Sequence, residues 1–200
     1  MEPGRIVILN GVPGVGKSTT VRAIQALSEE IWINLGVDVS RKMLPERLQP
    51  GIGLRPGGER PDLEPTVLEL YRAQFAAIAA YSRQGLNVVA EFGIHDSYSK
   101  PLGTLTELAR TLEGLPALFV GLKCPPEVIL ERRIGRGESD DGTLLERIDR
   151  WVDAVHRPGI YDLEVNTSTL TPEECAYEIH NAWDTLPKTA IARAASYLEK

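Results

Sequence analysis

The chain has 200 residues, 42% of them hydrophobic and 25% charged, and a net charge of −6. That length predicts one domain with a sizeable core, and the acidic balance argues against a nucleic-acid partner, which needs a basic surface. No apolar run reaches membrane-spanning length, and an apolar segment begins almost at once, so the expectation is no membrane, no leader and a cytoplasmic location. Cys124 and Cys175 lie far apart without a histidine at metal-ligand spacing, which reads as two buried thiols in a reducing compartment.

In chain order, Arg5 to Asn10 is a short apolar run of the kind that makes a buried parallel strand. Gly11-Val12-Pro13-Gly14-Val15-Gly16-Lys17-Ser18 follows and fits G-x-x-x-x-G-K-S. Ser18 to Glu30 then carries Val21, Ile24 and Leu27 on roughly one helical face. Trp32 to Val37 reads as a second strand ending at Asp38. Residues 39–62 hold eight Pro and Gly breakers and read as an irregular insertion, with a short helix near Arg41 to Leu48. A helix is predicted from Glu64 to Gln84, stopped by Gly85. Leu86 to Glu91 is the third strand, Leu102 to Leu112 a helix, and Ala117 to Leu122 the fourth strand. Pro125-Pro126 opens a helix over 127–134, a polar glycine-containing loop spans 135–142, and a helix covers 143–155. Leu163 to Asn166 is the fifth strand. Thr171-Pro172-Glu173-Glu174 has an N-cap, a proline at N1 and first-turn acids, and opens the helix that Pro187 ends. The tail 188–200 reads either as a short amphipathic helix with Ile191, Ala195 and Leu198 on one side or as a frayed extension.

Alternating strands and helices predict an α/β fold: a P-loop NTPase with a five-stranded parallel sheet, helices on both faces in the manner of nucleotide and shikimate kinases, and a mobile lid. Residues 1–187 form the single kinase domain in this reading, with the acceptor-binding insertion at about 39–62 and the lid at about 132–142. Residues 188–200 form a C-terminal extension.

Strand, glycine loop and helix is the context that gives the motif its meaning. Glycines let backbone N–H groups approach a polyphosphate, and the helix N-terminus adds its positive end. Gly11, Val12, Pro13, Gly14, Val15, Gly16, Lys17, Ser18 and Thr19 are therefore the candidate ATP-binding residues. Lys17 reaches toward the β- and γ-phosphates, and the Ser18 hydroxyl toward Mg²⁺. In an open parallel sheet ligands bind outside the carboxyl ends of the strands. Asp38, at such an end, is the candidate base for an attacking hydroxyl, with a helix N-cap as the structural alternative. Glu91 ends an apolar strand as a Mg²⁺-associated acid or as half of an ion pair. Arg132 and Arg136, four apart, are candidate lid cations for the transferring phosphoryl group; Arg133 points elsewhere and reads as a surface residue. Thr167, after the fifth strand, is a candidate for the nucleotide base. His95 lines an acceptor pocket or a polar turn, and His156 reads as structural.

Taken together, these segments resemble the chloramphenicol phosphotransferase-like family of P-loop kinases, from Ile6 to about Ile179. The residues that carry the resemblance are Ile8-Leu9-Asn10-Gly11, Leu35-Gly36-Val37-Asp38, Val120-Gly121-Leu122-Lys123-Cys124, the segment 131–136 and Tyr161 to Thr167. The resemblance implies transfer of phosphate from ATP to an antibiotic hydroxyl, with Asp38 at the position of the family's proposed base and Arg132 and Arg136 at its lid arginines. The sequence departs from the family at Val12-Pro13-Gly14-Val15, at Glu91-Phe92 and across 39–62, which leaves the acceptor open. The partners expected are ATP and a hydroxyl-bearing small molecule, with a homo-oligomer allowed. Two other readings stay open: a metabolite kinase for a nucleoside, nucleotide or sugar acid, and a nucleotide-dependent binding switch.

Overall fold

A computed structural model describes residues 2–57 and 60–198. The strands are β1 (Ile6–Asn10), β2 (Trp32–Asn34), β3 (Asn87–Phe92), β4 (Ala117–Lys123) and β5 (Leu163–Asn166). They form one sheet in the order β2-β3-β1-β4-β5, with every neighbouring pair parallel. The helices are α1 (Lys17–Leu27), α2 (Val37–Met43), α3 (Glu64–Arg83), α4 (Thr104–Thr111), α5 (Pro126–Ile134), α6 (Leu144–Val155), α7 (Pro172–Thr185) and α8 (Ala190–Leu198). Between α2 and α3 the chain makes three single-turn 3₁₀ segments, so the expected irregular insertion has local order without a long element.

Period-2 alternation on the central strands builds two cores. Ile6 and Ile8 of β1 and Ala117 and Phe119 of β4 face one side, where they meet α3, α4 and α8. Val7 and Leu9, with Leu118, Val120 and Leu122, face the other and meet α1, α5, α6 and α7. On the first side Tyr71, Phe75 and Phe92 pack ring to ring with centroids 5.4–6.1 Å apart. The C-terminal segment is helical, and it buries Ala190, Ile191 and Ala194 in that same core. The backbone N–H groups of Thr189 and Ala190 both donate to the Asp162 carboxylate. A boundary at 187 therefore does not separate this segment from the domain's packing.

The second strand is shorter than predicted. Asn34 Oδ1 accepts the Gly36 N–H at 2.9 Å, a side-chain bond that competes with continuation of the ladder. With Gly36 as its N-cap, the chain turns into α2. This moves Asp38 from a strand end into the first turn of a helix.

Candidate functional site

The loop between β1 and α1 is built for an anion. Gly14 and Gly16 take φ of 93° and 109°, left-handed values that favour glycine. Gly16 is the N-cap of α1 and offers no side-chain cap, and the first turn of the helix has no acidic residue. Its backbone donors and positive dipole end are thus left for a ligand. Lys17 lies folded over the loop, its Nζ donating to the carbonyls of Gly11 at 2.8 Å and Val12 at 3.0 Å. Burial lowers its pKa to about 8; Glu91 and Asp38 pull it back up and Arg133 pushes it further down.

Two carboxylates flank Ser18. The Ser18 hydroxyl donates to Asp38 Oδ2 at 3.1 Å. Glu91, next to the end of β3, is 1% exposed. Gly36 lies against it: a Cβ there would come 2.3 Å from Glu91 Cγ, so the glycine that ends β2 also makes room for this acid. Burial raises the pKa of Glu91, against the pull of Ser18, Lys17 and Arg22. Its Oε2 is buried without a hydrogen-bond partner. An unpartnered buried carboxylate oxygen beside a serine hydroxyl fits a hard cation such as Mg²⁺. Among the described residues no group of three or more His, Cys, Asp or Glu side chains could hold a metal ion, so such an ion would take its further ligands from phosphate and water.

These groups open onto a cavity of about 440 Å³ lined by the loop, Lys17, Ser18, Thr19, Asp38 and Glu91. Its other wall is Val37, Arg41, Pro50, Gly53 and Arg55, from α2 and the insertion. Arg22 and Arg136 line it as well. Neither α3 nor the turn after Glu91 does so; both stand behind the wall. Gln74 of α3 binds Ser40 and the Leu35 carbonyl, while buried His95 stacks on Tyr98 and bonds the Leu54 carbonyl at 2.8 Å.

A second cavity of about 220 Å³ adjoins the loop on its far side, lined by Gly16, Thr19, Arg132, Arg136 and Thr167 among others. Arg132 does not face the phosphate end. Its guanidinium donates to the Val15 carbonyl, to Thr167 Oγ1 and to the Thr167 carbonyl at 2.6 Å, with Cys124 Sγ at 3.5 Å. Thr167 Oγ1 also donates to Val15 O at 2.6 Å. Together they pin the back of the loop. α5 ends at Ile134, so Arg136 sits in the following turn and does not share a helical face with Arg132. It lines both cavities instead.

Arg133 is the clearest departure from expectation. It is 5% exposed, donates to the Pro13 carbonyl at 3.3 Å and pairs with Glu138 at 2.6 Å. Its guanidinium lies 4.9 Å over the Trp151 ring, which supplies the low-polarity surface that a planar cation stacks on. Arg55 lies over the same ring at 5.1 Å, and Trp151 Nε1 donates to the Pro56 carbonyl. Four cavity cations, Arg22, Arg41, Arg55 and Arg133's neighbour Arg136, thus come from four separate segments. Of these, sequence reasoning placed Arg136 on the lid and named Arg41 and Arg55, with Arg47 and Arg60, only as insertion arginines that keep a nucleotide acceptor open; Arg22 it missed. The signal for Arg22 was spacing, since it is one turn after Ser18.

Both cysteines are free and buried. No helix among the described residues is long and apolar enough to cross a membrane.

The family model for chloramphenicol phosphotransferase-like protein matches residues 4–184. A Mycobacterium tuberculosis protein named putative O-phosphotransferase is 27% identical over 205 residues, covering 94% of this chain and 85% of its own. The tunicamycin resistance protein of Deinococcus radiodurans superposes with a TM-score of 0.61 at 22% identity, over 92% of this chain and 98% of that one. Shikimate kinase from Acinetobacter baumannii, solved with shikimate, superposes at 0.58 and 16% identity, over 90% and 92%. The fold is thus that of P-loop kinases.

Proposed function

The chain belongs to the chloramphenicol phosphotransferase-like family, and from that premise we propose that it transfers the γ-phosphoryl group of ATP to a hydroxyl of a small molecule, with Asp38 as the base. One observation carries the reading: Asp38 stands 3.1 Å from the Ser18 hydroxyl, in the same cavity as the phosphate loop. A hydroxyl placed beside Asp38 would therefore lie next to the terminal phosphate.

In this reading the triphosphate lies on Gly11–Thr19 and the α1 N-terminus, with the nucleotide base toward Thr167 and the smaller cavity. Lys17 leaves the loop carbonyls for the phosphates, and Arg136 meets the charge that develops on the transferring group. Arg132 acts on the nucleotide side by holding Val15 and Thr167. Ser18 and Glu91 would hold Mg²⁺, which neutralises phosphate charge when bound. The acceptor oxygen attacks phosphorus, the bond to the β-phosphate bridging oxygen breaks, ADP leaves, and the hydroxyl proton passes to the Asp38 carboxylate. Antibiotics and other natural products are the first acceptor class, from the family; nucleosides, nucleotides and sugar acids are the second, favoured by the arginines on the acceptor wall. The protein is taken to act in the cytoplasm on free small molecules.

The test is a mass-spectrometric screen of the protein with Mg²⁺-ATP against chloramphenicol, other hydroxyl-bearing antibiotics, nucleosides and sugar acids. Transfer to one of them should fall by about 10²–10⁴ in Asp38→Asn with ATP binding kept. Wild-type turnover in that variant would remove Asp38 as the base, and failure of ATP to bind the wild type would remove the kinase reading.

A further inference from the structure

We propose that Trp151 is a positioning residue that ties the acceptor wall to the phosphate loop, so that a nucleotide on the loop orders the wall; this rests on the reading above, in which the loop takes ATP and the facing wall the acceptor.

The two sides of the cavity are anchored in different cores. The loop stands on the second core through Val12 and Val15. The insertion stands on the first through Ile52 and Leu54, whose carbonyls are held by Tyr71 Oη at 3.2 Å and by His95 Nε2 at 2.8 Å. Pro50 and Gly53 face the cavity from the insertion, and Pro13 and Gly14 from the loop. The separation of acceptor and phosphate therefore depends on a tie between these two anchorages.

Trp151 of α6 makes such a tie. It is buried in the second core with the loop's valines, yet its Nε1–H donates across to the Pro56 carbonyl of the insertion at 3.2 Å. A buried indole N–H needs an acceptor, and here the acceptor belongs to the segment that forms the cavity wall. The same ring carries the Arg133 guanidinium at 4.9 Å. Arg133 in turn donates to the Pro13 carbonyl at 3.3 Å. Its stem also lies against the loop backbone: a Cβ on Gly14 would come 3.1 Å from Arg133 Cγ. Pro13, Arg133, Trp151 and Pro56 thus form one continuous run of contacts from loop to wall. Arg133 Nε is buried without a hydrogen-bond partner, so the guanidinium is held by the ring and by its tip bonds to Pro13 and Glu138. A shift of the loop moves the guanidinium, and the ring is the surface it moves against.

Order is what passes along this run. A triphosphate fixes the loop backbone through its N–H groups, which narrows the motion of the Pro13 carbonyl and of the Arg133 tip bound to it. A steadier ring gives Pro56 a steadier donor, and the wall then loses less freedom when an acceptor docks. The coupling is reciprocal, so an acceptor on the wall favours nucleotide on the loop by the same factor. A misplacement of about 1 Å at the reacting atoms is worth about a hundredfold in rate, which is why the tie matters to transfer.

Hydrogen–deuterium exchange read by mass spectrometry tests this with Mg²⁺ and a non-hydrolysable ATP analogue as the only probes. In the wild type the analogue should slow exchange over 11–19 and also over 50–57. Trp151→Phe keeps an aromatic face for Arg133 and removes the N–H. In that variant the analogue should still protect 11–19, with a Kd within about twofold of wild type, while the slowing over 50–57 falls by up to about tenfold, the weight of one hydrogen bond. Arg133→Lys keeps the charge and loses the planar stack, and should lose the same distant protection; where this buried substitution disturbs folding, Trp151→Phe decides. Three results would overturn the coupling: no slowing over 50–57 in the wild type while 11–19 is protected, undiminished slowing over 50–57 in Trp151→Phe, or equal loss over both segments in that variant, which would make Trp151 a packing residue alone. Absence of protection over 11–19 in the wild type would instead overturn the nucleotide reading beneath it.

Discussion

Lys17 shows how one side chain carries both the cost and the use of the loop. Held over two carbonyls and partly enclosed, its ammonium ion loses hydration, and its pKa falls to about 8. The charged form is the one that binds phosphate, and phosphate in turn stabilises it. Proton and nucleotide are therefore linked: the free protein loses the Lys17 proton as pH rises through about 8, while the complex keeps it to higher pH. Affinity for an ATP analogue should be flat from pH 6.5 to 7.5 and then weaken by up to tenfold per pH unit above 8. The Lys17→Met variant should bind more weakly and lack that step. Calorimetric Kd values across the range check this; an equal slope in the variant would assign the dependence to another group.

At the scale of elements, the join between β2 and α2 decides the site. Asn34 stops the strand, Gly36 caps the helix, and Gly36 also lies against Glu91. A methyl group at 2.3 Å from Glu91 Cγ cannot be accommodated without moving that side chain. Gly36→Ala should cost about 1–3 kcal/mol by overpacking and should displace Glu91. Mg²⁺-dependent stabilisation of the nucleotide complex should fall with it, read as a smaller rise in Tm when Mg²⁺ is added to protein and analogue. This join also marks how far the residues could be read from sequence. Leu35-Gly36-Val37-Asp38 was legible as the place where an acid meets the phosphate loop, because the hydrophobic pattern stops there. A helix start at Asp38 was visible only as the N-cap alternative; that Gly36 is the cap and Asp38 lies inside the first turn was not, because the stop comes from a side-chain bond of Asn34, which periodicity does not see. Arg133 was misjudged for a related reason. Helical spacing gives its direction relative to Arg132, but the surface it meets, Trp151 and the Pro13 carbonyl, comes from α6 and the loop.

Across the whole molecule, the sheet with its two helical layers followed from the alternation of strand and helix patterns, since each apolar run has one length and one period. What tied the layers together was not visible in those patterns. Asn10, 2% exposed at the end of β1, donates to the Val155 carbonyl and to Tyr161 Oη, and accepts the Ile94 N–H. Tyr161 Oη lies 2.7 Å from His156 Nδ1. The phenol oxygen accepts from Asn10, and its own proton is free to go to the histidine when His156 is neutral with Nδ1 unprotonated. Burial, with Lys123 and Lys17 nearby, lowers the His156 pKa to about 4. The unfolded chain therefore takes up this proton near the ordinary histidine pKa of 6.5 while the folded one resists it. Stability from neutral His156 is complete above pH 6.5 and is lost as pH falls toward 4, by up to about 3 kcal/mol. Urea denaturation at pH 7.5, 6, 5 and 4 should show this decline in the wild type. His156→Gln should be less stable at pH 7.5, having lost the aromatic packing on Tyr161, but its stability should fall less steeply. The two curves should converge near pH 4. Parallel curves would mean that the histidine is not the group whose protonation loosens the join between β1 and α6.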